Sequence, residues 1–302
     1  MRRSGTKKFH HSVQLFKFCQ KILADQKNTK IHDQEVGSIL NFNPSDCSHW
    51  KKGEKKIKSV FSLAQLALSL NIEPTLLHDI ASGHIIVDEA YFEHSEAIRH
   101  SNLVTRAHQE LPANEINEIH QKVELFTEQL HQQANFTTPP LYLPEIFNFF
   151  PFLQLQPVDM IDKLSRILRI KPGLYTIQFK KADLKPQTRM SIIKDLARII
   201  FEGERTKFPE LEGLNSSHLD YEELVFIASL LIPKKSLRHE IMKIDSKKNL
   251  IQELSATFWA PKSLICFQLQ HLLQSLEAFK EDTSYQQIEQ TSAGMKEVGV
   301  VA

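Results

Sequence analysis

Cysteine is scarce in this 302-residue chain. Cys19, Cys47 and Cys266 are odd in number and far apart. On apolar helical faces they are expected as buried thiols of a reducing cytoplasm, not as a disulfide framework or a thiolate metal set. Nine scattered glycines form neither a P-loop nor a dinucleotide-binding pattern, which argues against phosphate-cradling enzymes. The absence of a Gly-x-Ser-x-Gly elbow excludes the serine hydrolases built on it. No apolar run approaches the roughly 18 residues that suggest a membrane span. The apolar positions after Arg2 and Arg3 are interrupted by Lys and His, unlike a signal peptide. The expectation is a cytoplasmic, nucleoid-associated protein with no membrane partner.

What is present is an ordinary globular balance, 41% hydrophobic and 24% charged, in a chain long enough for two domains or one plus an arm. Residues 31–58 are the most informative. In DQEVGSILNF, Val36, Gly37, Ile39 and Leu40 fall on one helical stripe, and Asn41 ends the helix with a residue that tolerates positive φ. Asn43 is a good N-cap and Pro44 suits the first helical position, so a second helix is predicted from Pro44 through Trp50. Its spacing turns Cys47 and Trp50 inward and Ser45, Ser48 and His49 outward. SVFSLAQLALSLNIEPTLLHDI follows, with Val60, Leu63, Leu66, Ala67 and Leu70 on a stripe and Ile72 and Leu76 after a break. The pattern predicts a helix-turn-helix on an apolar frame.

Over about residues 12–82 these segments resemble the lambda-repressor-type, or Xre-like, helix-turn-helix family. DQEVGSILNFN, DCSH and Gly53 follow its opening order, and LALSLNIEPTLL its later helix. Gly37 stands where the family usually has Ala and Asn41 where it has Gly. Trp50-Lys51 replaces an aliphatic and an acidic residue. The resemblance implies a five-helix DNA-binding domain that reads bases with Pro44, Ser45, Asp46 and His49. Ser48 lies on the same outward face, with Asn43, Lys51, Lys52, Lys55 and Lys56 nearer the phosphates. Charge agrees. Through residue 60 there are thirteen Lys and Arg against five acids, a local +8 in a chain of net +1, leaving −7 for residues 61–302.

Residues 83–112 are polar and predict a connector with some helix. ANEINEIHQKVELFTEQLHQQANF carries Ile116, Ile119, Val123, Phe126 and Leu130 at helical spacing, a helix that packs within the chain or pairs with a second copy. TTPPLYLPEIF punctuates the start of a second domain. Beyond it the expectation is a helix around Val158 to Leu168, a strand at GLYTIQF and a helix at TRMSIIKDLARIIFEGE. A further helix in DYEELVFIASLLIP is stopped by Pro233, and two more are broken at Ala260-Pro261. The domain plan is 1–85 for DNA binding, 86–136 as a helical linker, 137–281 as the second domain, and 282–302 as a polar, disordered tail.

The order of the strand, RMSIIKDLARII, FIASLLIP and LSATFWAPKSLICFQLQHL resembles the ImmA/IrrE family of zinc metallopeptidases over about residues 137–275. FIASLLIP is the best-kept block. The resemblance implies an α+β, zincin-like fold with few strands, in which the HExxH helix would align its two zinc histidines with Lys194 and Arg198. Its glutamate would fall on Asp195 and the third ligand on Glu222. Lys and Arg are cations without a free lone pair and repel a metal. The resemblance therefore implies a domain that has lost metal and activity, with a basic pocket for a small anion as an alternative use of Lys194 and Arg198. His218 and His239 flank the LLIP helix, and His120 and His131 lie on the amphipathic helix, but none makes an HxxxH pair, so no cofactor is expected.

The sequence thus predicts a mainly α protein. It is expected to be a non-enzymatic, sequence-specific transcription regulator that binds double-stranded DNA as a homodimer, its second domain meeting a small-molecule or protein effector. The alternatives are a zinc peptidase acting on a repressor and an antitoxin-like interaction module.

Overall fold

A computed structural model describes residues 9–161, 163–181, 185–214 and 216–275. The expected tail at 282–302 and the basic residues from Arg2 to Lys8 lie outside them. Among the described residues the protein is mainly helical, 67% helix, with one small three-stranded mixed sheet. It divides into two compact units between Ile98 and Arg99. Among the described residues no helix is long and apolar enough to cross a membrane.

The first unit holds α1 (His10–Lys27), α2 (Asp33–Ser38), α3 (Pro44–Lys52), α4 (Val60–Leu70), α5 (Pro74–Ser82) and the first half of α6 (Val87–Glu110). Each of the first five is followed by Asn or Gly at positive φ: Asn28, Asn41, Gly53, Asn71 and Gly83. There the left-handed turn satisfies carbonyls the helix leaves open and redirects the chain at once. One core joins these helices, built on Leu15, Phe16, Phe18, Val36, Trp50, Leu66, Leu70, Leu77 and Ile80. Val60, expected on the buried stripe of α4, is 79% exposed at the helix's first turn, because Ser59 caps the helix just before it. The inward stripe starts at Leu63.

Residues 86–136 are two helices. The polar 83–112 segment contains the continuous 24-residue α6, and α7 (Ala113–Gln133) belongs to the second unit. Ile116, Ile119, Val123, Phe126 and Leu130 are all buried, and α7 packs against α10 (Leu219–Leu231). Phe126 stacks on Phe226 at 5.8 Å and meets Phe208 at 5.0 Å.

After α8 (Leu143–Phe147) come β1 (Leu153–Val158), β2 (Ser165–Lys171) and β3 (Leu174–Lys180) in the order β1-β3-β2, with β1 parallel and β2 antiparallel to β3. The helix expected over Val158 to Leu168 is therefore absent. Ile161, Leu164 and Leu168 imitate helical spacing, but Ile167 pairs with Ile177 and Ser165 with Phe179, so strand pairing supplies the backbone partners instead. Ile161 is left 94% exposed. α9 (Pro186–Arg198) packs on β2 and β3 and runs into a π-helical turn, Ile199–Glu204. α10, α11 (Lys234–Lys243), α12 (Leu250–Phe258) and α13 (262–275) complete the unit.

Candidate nucleic-acid interface

The turn between α2 and α3 is built from local chemistry. Asn41 takes φ 55°, and the Phe42 N–H reaches the Gly37 carbonyl at 3.0 Å, closing α2. The Asn43 side chain accepts the Asp46 N–H at 2.8 Å, starting α3 with Pro44 in its first turn. Asn43 is thus committed to its cap. Cys47 and Trp50 are buried, and Ser12 fixes Trp50 to α1. Its carbonyl accepts the Trp50 indole N–H at 2.7 Å, and its hydroxyl accepts the Ile57 N–H at 2.9 Å. One serine thereby anchors both α3 and the loop after it.

Gly37 sets how closely the two helices approach. A Cβ there would lie 2.8 Å from both Cβ and Sγ of Cys47, and the Cys47 thiol donates to the Asp33 carbonyl at 2.9 Å. The alanine usual in the resembled family does not fit opposite this cysteine. Gly37→Ala is expected to cost about 1–3 kcal/mol by overpacking, read as a lower urea midpoint for the first unit. An unchanged midpoint would mean that α2 and α3 can separate freely.

The outward face of α3 carries Pro44, Ser45, His49 and Lys52, all exposed, with Ser48 half-buried. Asp46 turns aside: its carboxylate pairs with Lys55 at 2.9 Å, and the Lys55 ammonium sits 3.9 Å from the centre of the Phe42 ring. Lys51 pairs with Asp33 of α2, and His49 with Glu54. These acids are already subtracted in the local +8, so the pairs leave that excess unchanged and concentrate it on the remaining basic side chains. Among the described residues Lys52 and Lys56 are exposed and in no ion pair, so their ammonium groups are not committed within the fold.

In the second unit, α9 carries Lys194, Asp195 and Arg198, which the sequence resemblance set against zinc-site positions. Asp195 Oδ2 accepts the Ser165 hydroxyl at 2.6 Å, and Ser165 is 2.6 Å from the Ser191 hydroxyl. Burial raises the Asp195 carboxyl, with the Ser165 hydrogen bond opposing. Lys194 is half-buried beside it. Arg198 Nε lies 3.3 Å from Glu202 and 3.7 Å from Glu223. Of the two adjacent α10 glutamates, Glu223 is thus the one near Arg198, whereas Glu222, chosen from the sequence, pairs with Arg205.

Glu223 is 1% exposed, and burial pushes its carboxyl up to about 7, with Arg198 opposing. Between its ordinary 4.5 and about 7 the folded state holds a proton that the unfolded chain has released, so stability falls as pH rises through that window and levels off above it. Glu223→Gln should therefore gain on the wild type between about pH 5 and about pH 7.5, read as the difference in urea midpoints. A gap independent of pH would show Glu223 ionised throughout.

Sequence reasoning passed over one further group, His120 and Glu124 on α7 with His271 on α13. The His-x-x-x-Glu spacing was visible, but nothing local announces that a distant helix brings a second imidazole to it. The chain matches no protein-family model, no curated protein and no solved structure.

Proposed function

We propose that the first unit binds double-stranded DNA through α3 and the loop after it, and that the protein is a sequence-specific transcription regulator. The observation that carries this reading is the two-sidedness of α3. Cys47 and Trp50 are locked against α2 and α1, while Ser45, Ser48, His49 and Lys52 form a polar face available to base edges and phosphates. The second unit serves as an effector-binding or partner-binding module related to metallopeptidases, and Arg198 beside Glu223 supports its lack of a metal on α9. A homodimer fits the exposed apolar pair Phe61 and Leu68, i and i+7 on α4, 88% and 86% exposed.

The test is selection of the full chain against fragmented genomic DNA at about 150 mM salt, where purely electrostatic binding is weak. Enrichment of a short palindromic site is expected; recovery without sequence preference would sink the reading. On the selected duplex, Lys52→Ala with Lys56→Ala should weaken binding and flatten the slope of log K against log salt by about 2. Lys51→Ala and Lys55→Ala, whose ammonium groups already serve Asp33 and Asp46, should do less. His49→Ala or Ser45→Ala should change site preference, and uniform loss on every sequence would deny them base readout.

A further inference from the structure

We propose that His120, Glu124 and His271 form a binding site for a divalent transition-metal ion of the zinc class, separate from α9. His120 and Glu124 are i and i+4 on α7 and share one face. α13 brings His271 against them, and the three ligand atoms lie within 4.8 Å of one another. His120 Nδ1 is 3.7 Å and His271 Nδ1 3.8 Å from Glu124 Oε1, both beyond hydrogen-bond reach. The two Nδ1 atoms are buried and lack any hydrogen-bond partner among the described residues. His120 is 5% exposed, so its ring nitrogen points into the cluster without compensation from water. Two imidazoles and a carboxylate are a donor set that zinc uses when it keeps a fourth position open.

The surroundings suit metal binding. Tyr221 lies 2.9 Å from His120 Nε2; with that N–H donating to the phenol oxygen, Nδ1 keeps its lone pair. The Lys234 ammonium lies 2.5 Å from Glu124 Oε1 and supplies the positive charge the carboxylate requires in the absence of an ion. A cleft of about 250 Å³, lined in part by Lys234, Ser229 and Gln268, reaches Glu124, one of the three ligands. One rearrangement is needed. The imidazoles stack at 3.5 Å with planes 12° apart, and lone pairs lying in parallel ring planes cannot meet at one ion. His271, with 18% of its side chain exposed against 6% for His120, is the ring with room to tilt as Lys234 withdraws.

The experiment is titration of full-length protein, stripped by chelator and desalted, with Co²⁺ alone, followed by its visible absorption and by displacement with Zn²⁺. One equivalent of Co²⁺ is expected, with the intense bands of a low-coordinate site. His271→Ala and Glu124→Gln should each weaken binding by more than about tenfold, while His239→Ala and Glu223→Gln leave it unchanged. Lys234→Met keeps all three ligands and removes the competing cation, so it should tighten binding severalfold even if His271→Ala fails to fold. Absence of saturable binding by the wild type, wild-type affinity in Glu124→Gln, or weaker binding in Lys234→Met would each overturn the proposal.

Discussion

Trp50→Ala should unfold the first unit under conditions in which the second stays folded. Trp50 is wholly buried, meets Phe16 edge-on at 5.1 Å and Phe42 at 5.9 Å, and its indole donates to the Ser12 carbonyl. Truncating a buried Trp costs about 3–5 kcal/mol through lost burial and the cavity left behind. The Ser12 carbonyl, stranded in an apolar core, adds to the loss. A domain of this size has on the order of 5–10 kcal/mol in total, so the variant sits near its midpoint. Trp50→Phe separates the two causes: it restores most of the packing but not the hydrogen bond, and should cost about 1–2 kcal/mol. The chain has two tryptophans, and Trp259 lies in the second unit, so fluorescence of Trp50→Ala follows that unit alone while circular dichroism at helix wavelengths follows both. Equal losses from the alanine and phenylalanine variants would mean that the hydrogen bond, not the packing, anchors α3.

Arg205→Met should be the most damaging single change in the second unit. Glu222 is 0% exposed and its charge partner is the Arg205 guanidinium, which also donates to the Leu214 carbonyl at 2.7 Å. Removing the cation leaves a buried carboxylate without compensation, a loss of about 3–5 kcal/mol at neutral pH. Burial already raises the Glu222 carboxyl against the pull of Arg205, and without the arginine it rises further. The folded variant then holds a proton the unfolded chain has given up. Its deficit is small below the ordinary carboxylate range and grows as pH increases. Urea unfolding near pH 4.5 and at pH 7.5 of Trp50→Phe proteins with and without the Arg205→Met change, followed by the fluorescence of the remaining Trp259, tests this through the pH dependence of the gap. Arg205→Met combined with Glu222→Leu should recover most of the stability, since neither charge remains to be desolvated. A double variant no better than Arg205→Met would place the arginine's value in its bond to Leu214.

What could be read from the sequence was local. Asn41, Asn43 and Pro44 specify a turn within four residues, and the positive φ of Asn41 and the cap at Asn43 follow from those side chains alone. Cys47 and Trp50 face inward for the same reason, three residues apart on a helix whose start is known. The strands around residues 153–171 were opaque because β1 joins the sheet only through β3, and that pairing is non-local. Leu153 and Leu155 alternate with glutamine as a strand should, but the apolar spacing from Val158 onward suggested a helix. On α10 the sequence could not choose between Glu222 and Glu223, because every residue from Tyr221 to Leu231 is buried and the helix has no polar side from which to take its phase. The same blindness hid His271, whose meaning depends on α7.

The small sheet has a further consequence for how copies of this protein can meet. Both outer strands carry devices that discourage another strand from joining. β1 contains Pro157, which has no N–H to offer, and β2 carries Arg166, Arg169 and Lys171, with an irregular register between the last two. A flat apolar rim would template growth by backbone pairing, the route by which sheets recruit neighbours and aggregate. Here both rims are blunted by charge, by an irregular register or by a missing donor, so neither edge offers a ready template for strand addition.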